Sequence, residues 1–344
     1  MIKSLNNYAY VNARLRARLT LRLPNEVLEE LITKVSVDEA VLLLKDTFYE
    51  PCLIAYQTHG DLMAVEQAMN RREVELFTNL SLGLPAEVAH FLKALILRVE
   101  INFLKMIFRL WFGRRIKQRS VSFSFGEIEN IFIVHHIHYD QLLATSTWEA
   151  LIAELKDTPY AQLIMDNRSL MVQQNSIYIL EVALDQYQQH RLQMAVDNLS
   201  GLDKSIAHRF LGGFIDLENI LCGMRLKQQK MTDAAMDAFF IKGGRRLSRE
   251  QWYQVLKDPK ALVTVLSQWY PHLQVKDREP KTLVDQARAL QLAEDGQAAL
   301  SVYPFSCGSI IAYFFLMNND IRKVLTALHS RHYKLSLEQT RDLL

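Results

Sequence analysis

The chain has 344 residues, 49% of them hydrophobic, and a formal net charge of only +2. That length and apolar share can bury a sizeable core, while the near-neutral balance excludes the large single-signed field that would make nucleic acid the default partner. Leu, Ala, Gln, Glu, Lys and Arg dominate and Gly (12) and Pro (8) are sparse, so the chain is expected to be all-α.

In chain order, the N-terminal segment carries Asn6, Asn7, Arg14, Arg16, Arg18 and Arg22 with no uninterrupted apolar stretch, so a secretory signal is not expected. Its helix aligns Val11, Leu15 and Leu19, with Arg14 and Arg18 on a separate face. Ser36 with Glu39 is a helix-start signature, and Leu44-Lys45-Asp46-Thr47-x-Tyr49 follows it.

The most hydrophobic long stretch, residues 91–112, is broken by Lys93, Arg98, Glu100, Lys105 and Arg109. Each is costly at a bilayer centre, so no transmembrane span is expected. Arg98, Asn102, Lys105 and Arg109 follow i, i+4, i+7 and i+11 and share one face, which predicts a mostly buried helix whose basic stripe meets water, a cavity or a partner. Gly113-Arg114-Arg115-Ile116-Lys117-Gln118-Arg119 then forms the strongest basic patch. It reads as a solvated interhelical loop first, and as a contact for acidic protein or lipid headgroups second.

His135-His136-x-His138 is the densest ligand-like cluster. It lacks supporting cysteines or a His-Glu-x-x-His helix, so no metal or other cofactor is expected. Ser146 with Glu149 is the second helix start, and Leu155-Lys156-Asp157-Thr158-x-Tyr160 the second copy of the motif that follows it. Gly212-Gly213 and Gly243-Gly244 lack the Gly-Lys-Ser/Thr of a phosphate loop. Between them Leu217, Ile220, Leu221 and Met224 form an apolar stripe, with Asn219, Lys227 and Lys230 toward the polar side.

Ser248 with Gln251 and then Leu256-Lys257-Asp258 complete a third copy, and Ser336 with Gln339 begins a fourth that is cut short. The apolar run 310–317 is too short to span a membrane. Beyond it Asn319, Arg322, Lys323, Thr326 and Ser330 lie on one side of a helix and Ile321, Val324, Leu325 and Leu328 on the other. Cys52, Cys222 and Cys307 are far apart and form no Cys-x-x-Cys pair, which fits a reducing compartment.

The recurrence of serine box, helix and Leu-Lys-Asp at intervals of about one hundred residues is too long for tetratricopeptide or ankyrin arrays. It predicts repeated helical subdomains, about 1–98, 99–215 and 216–344, in a single domain. Upstream of each box a helical run holds an asparagine: Asn12, Asn102, Asn219 and Asn319. Their polar faces are either ordinary solvated faces or the lining of a shared inner surface.

Tyr8-x-Tyr10-x-Asn12-Ala13-Arg14, Leu44-Lys45-Asp46-Thr47-x-Tyr49 and the closing stretch from Phe305 through Asn319-Asp320-Ile321-Arg322 together resemble the C subunit family of V/A-type rotary ATPases, counterpart of the eukaryotic d subunit. The resemblance runs from Tyr8 to Leu344. It departs from the family where Asn318-Asn319-Asp320 replaces a usually acidic stretch, and in a basic, histidine-containing insertion in the middle unit.

The resemblance implies a funnel-like array of three pseudo-repeated helical units and a non-catalytic coupling role. It would lie peripherally on the cytoplasmic face of the membrane, between the proteolipid rotor ring and the central stalk subunits D and F. On that reading Asn12, Arg14, Asn102, Lys105, Asn219, Asn319 and Arg322 are the stalk-binding or inter-repeat residues. Two rivals stand beside it: a helical scaffold unrelated to ATPases, which the repeats alone permit, and a metal-dependent enzyme using the histidine cluster.

Overall fold

A computed structural model describes residues 2–118, 133–228, 231–237, 239–275, 278–301 and 305–344. Among the described residues every regular element is a helix. In order these are α1 (Ile2–Leu19), α2 (Asn25–Thr33), α3 (Val37–Leu42), α4 (Glu50–His59), α5 (Leu62–Ser81), α6 (Ala86–Arg115), α7 (Tyr139–Ala144), α8 (Trp148–Glu154) and α9 (Tyr160–Gln174). There follow α10 (Tyr178–Asp197), α11 (Gly201–Gln228), α12 (Asp233–Asp237), α13 (Arg249–Lys257), α14 (Pro259–Trp269), α15 (Pro280–Ser301), α16 (Gly308–His332) and α17 (Leu337–Leu343).

The predicted helix starts are made by side-chain oxygens that accept otherwise orphaned backbone N–H groups. Ser36 accepts from Glu39 N, while Ser248 and Ser336 each form a complete capping box with Gln251 and Gln339. The second start differs from expectation by one residue: Thr147, not Ser146, is extended and accepts from Ala150 N at 3.2 Å. Trp148 and Leu151 set this register, because both are buried and the helix must begin where they can pack.

Leu-Lys-Asp proves to be a helix stop. In the first two copies the Thr hydroxyl donates to the Leu carbonyl, Thr47 to Leu44 at 2.6 Å and Thr158 to Leu155 at 2.7 Å. The same oxygen then accepts from the Tyr N–H that opens the next helical segment, at 3.0 Å for Tyr49 and 3.3 Å for Tyr160. In the third copy Pro259 stands in place of the threonine, and Asp258 caps α14 through Lys260 N. Proline at the first helical position suits this abrupt restart because its missing N–H would be unpaired there anyway.

The chain divides into two compact units, Met1–Asn70 with Gly83–Pro85 and Asn198–Leu344, and Arg71–Leu82 with Ala86–Asp197. The first gathers most of the first and third expected repeats, the second most of the middle one with the end of the first. In the first unit α16 is central, packed by α1, α2, α3, α11, α15 and α17, and its apolar run from Ile310 to Met317 is buried throughout. Asp203, in the first turn of α11, ties this unit together by accepting from Tyr8 OH at 2.5 Å and Cys307 N at 2.7 Å.

In the second unit α6 and α10 lie along each other, and α7, α8 and α9 complete the packing. The predicted burial of α6 holds over most of its girth, from Val88 to Phe112. Trp111 fixes its C-terminal half by donating to Thr145 O at 3.0 Å and by an edge contact with Trp148 at 4.6 Å. Among the described residues no helix is long and apolar enough to cross a membrane, and none of the three cysteines forms a disulfide.

Candidate functional site

Three long helices each bury one carboxylate. Glu100 on α6, Asp216 on α11 and Asp320 on α16 are at most 5% exposed. A charge in such surroundings persists only when donors replace the lost water. Each therefore acts as an anchor for a chain segment that leads into a following helix.

Glu100 accepts from Val134 N and His135 N at 2.7 and 2.8 Å, from Tyr160 OH at 2.5 Å, and meets His135 Nδ1 at 2.6 Å. The first of the three clustered histidines is thus bound to a carboxylate, and among the described residues no three of His, Cys, Asp or Glu gather as metal ligands would. Burial, with the Glu100 charge second, pushes the Tyr160 hydroxyl far above its ordinary range, so it stays a proton donor to the carboxylate.

Asp216 accepts from three successive backbone N–H groups, Arg245 and Arg246 on one oxygen and Leu247 on the other. Burial raises its carboxyl above the usual range, and the three N–H groups pull it only partly back. Gly243 has φ +98°, and a Cβ on Gly244 would collide with Asp216 Oδ1. The glycine pair thus lets the chain turn closely past Asp216, whose carboxylate takes the three N–H groups that follow. Gly212 and Gly213 act differently, letting Arg245 and Gln291 approach the backbone of α11.

Asp320 receives Arg22 in a two-pronged pair, Nε at 2.6 Å and NH2 at 2.8 Å. Tyr49 lies in the field of this pair, and burial, with Asp320 second, drives its hydroxyl upward. None of these carboxylates was expected as a site residue: Glu100 counted only against a membrane span, and Asp320 only as part of the closing stretch that resembles the family. For Glu100 the available signal was an acid inside an apolar helix, which must find partners somewhere.

The expected site residues lie on four helices, α1, α6, α11 and α16. Asn219, three positions after Asp216 and fully buried, grips Ile241 through both its amide atoms at 2.8 Å. Lys105 pairs with Asp185, and its neighbour on the stripe, Arg109, forks onto Glu181 at 2.5 and 2.9 Å. Lys105 and Arg109 of the basic stripe are therefore met by acids of α10, Arg98 lies in the field of Glu73 on α5, and Asn102 remains exposed. Arg322 meets Asn319 at 3.4 Å and donates to Leu343 O and Leu344 O. Asn12 accepts from Arg16 at 2.9 Å, and Arg14 donates to Tyr10 OH at 3.0 Å. Lys230 and Arg119 lie outside the described residues.

The anchors and caps hold chain segments in place. A family model described as ATP synthase (C/AC39) subunit matches residues 11–343. The chain belongs to this family. It is similar to the C subunit of the A-type ATP synthase of Methanocaldococcus jannaschii, at 25% identity over all of this chain and 88% of the relative. It is likewise similar to those of Methanococcoides burtonii, at 24% over 99% of this chain and 95% of the relative, and Pyrococcus furiosus, at 21% over 92% and 84%. Membership in the C/AC39 family sets aside the unrelated helical scaffold. The three anchors lie on α6, α11 and α16, all within the matched span.

Proposed function

We propose that this C/AC39 chain is the non-catalytic coupler of a V/A-type rotary ATPase. It rests on the proteolipid rotor ring at the cytoplasmic face of the membrane and receives the central stalk subunits D and F. Rotation of the ring passes through it to the stalk, in ion transport or ATP synthesis. The observation that carries this reading is the family match over almost the whole chain, with relatives named as the C subunit of A-type ATP synthases that it covers nearly end to end. A funnel of three pseudo-repeated units, near 1–98, 99–215 and 216–344, is part of the same proposal.

The physical support is stiffness. Torque is lost in any element that yields, and charged hydrogen bonds to buried carboxylates are among the stronger non-covalent ties available. Anchors at Glu100, Asp216 and Asp320 would resist local opening under load. The test is co-purification from detergent-solubilised native membranes with an affinity tag on this chain. Recovery of proteolipid and stalk subunits together is expected, and recovery of neither would overturn the reading.

A further inference from the structure

The first compact unit has a cleft of about 270 Å³ where the end of α11, the junction of α13 with α14 and the start of α15 meet. Helices α13 and α14 pack on each other, α13 also on α11 and α14 on α15. Both α14 and α15 open with a proline, Pro259 and Pro280, and both prolines line the cleft. Met224, Val255, Leu256 and Leu262 complete a wall that, among the described residues, is aliphatic throughout. The volume stands well above the roughly 150 Å³ that a benzene-sized guest needs, and near the lower end, about 300 Å³, of small-molecule sites.

One charge borders this wall. Among the described residues that line the cleft, Lys227 is the only ionisable one. Its ammonium donates to Leu256 O, a carbonyl in the last turn of α13. A lysine has three donors, so two remain for a ligand, and no carboxylate among the described residues pairs with Lys227. Beyond the lining, the charges next along the chain cancel. Asp233 pairs with Lys257 at 2.9 Å, Asp258 accepts from Lys260 N at 2.9 Å, and Lys281 follows Glu279 across Pro280.

We propose that this cleft binds a small amphiphilic anion, an aliphatic chain ending in one carboxylate. The chain lies against Met224, Val255 and Leu262, and the carboxylate meets the Lys227 ammonium in a charge-assisted hydrogen bond. A single cation on an otherwise aliphatic wall matches a single negative charge. A polyanion would leave most of its charge without a partner here, and a neutral chain would leave the ammonium unanswered. The site stands whether or not the chain couples a rotor ring to a stalk, because the cleft and its lysine belong to this chain alone.

The test is calorimetric titration of the full chain with octanoate, heptanoate, hexanoate, octanol and octylamine. Octanoate is expected to fill one saturable site, with affinity falling up to about fourfold for each methylene removed, the transfer cost of a buried CH₂. Octanol should bind more weakly and octylamine not at all. Lys227→Gln is expected to weaken octanoate about fivefold, the size of an exposed charge pair, and to leave octanol unchanged. Gln228→Trp, a change at an exposed position on the cleft's edge, should block octanoate and octanol together. Unchanged melting temperatures establish that both variants are folded. No saturable binding by the parent, affinity independent of chain length, or equal binding by parent and both variants overturns the proposal. Binding to phosphatidylglycerol vesicles with none to octanoate assigns the surface to a membrane and also overturns it.

Discussion

Glu100 satisfies four donor groups on three residues, Val134, His135 and Tyr160, and its removal would leave them without their acceptor. Each orphaned polar group costs about 1–3 kcal/mol, so Glu100→Ala is expected to destabilise the chain by about 3 kcal/mol or more, read from urea unfolding. A loss within the scatter of surface substitutions would show that the anchor contributes little. Asp216 makes a second test, through pH. Its folded-state pKa is raised above the ordinary 3.8. Its contribution is therefore complete below that value and declines as pH rises through the folded pKa. Compared with Asp216→Asn, which does not titrate there, the parent should lose relative stability as pH climbs from the ordinary carboxylate value through the folded one. Parallel urea titrations of the two proteins check this, and equal pH slopes would contradict it.

Helix starts and stops are decided by one or two side chains. The second start distinguishes two adjacent residues that local chemistry alone treats as equals. With Thr147 as the cap, Thr147→Ala should cost about 1 kcal/mol, whereas Ser146→Ala should cost no more than about a few tenths. Thermal melts of the two variants decide the register, and the reverse order would restore Ser146. The pairing of α6 with α10 has a different weight. Arg109 and Lys105 find Glu181 and Asp185 on the facing helix, but the Arg109 side chain is 59% exposed, and exposed pairs contribute at most about 1 kcal/mol. The apolar faces of α6 and α10 carry the packing, and the charges fix how the helices are aligned.

On the coupling role proposed above, the function of the whole molecule depends on surfaces offered to other subunits. Arg322 is a sharp probe, because it sits on α16, the centre of the first unit, and reaches the carbonyls that end the chain. Arg322→Glu is expected to weaken capture of the stalk roughly tenfold, about 1.4 kcal/mol. A pull-down with purified subunits D and F measures it. Unchanged capture would assign Arg322 to the seating of α17 alone.

Local chemistry made much of this protein legible before any tertiary contact was known. The helical class and the capping serines at 36, 248 and 336 depend on groups two to four residues apart, and those spacings are written directly in the chain. So is the family likeness, which is a property of residue order. Leu-Lys-Asp stood out only as a recurrence, and its role as a helix stop came from the structure. The partners of charged groups were not legible in this way. Arg22 and Asp320 are separated by 298 positions, Lys105 and Asp185 by 80, Glu100 and His135 by 35. A buried carboxylate in a sequence announces only that it needs donors. Which donors reach it, and whether a polar stripe meets water or an acidic helix, is settled when the apolar faces pack and bring remote segments within hydrogen-bonding distance.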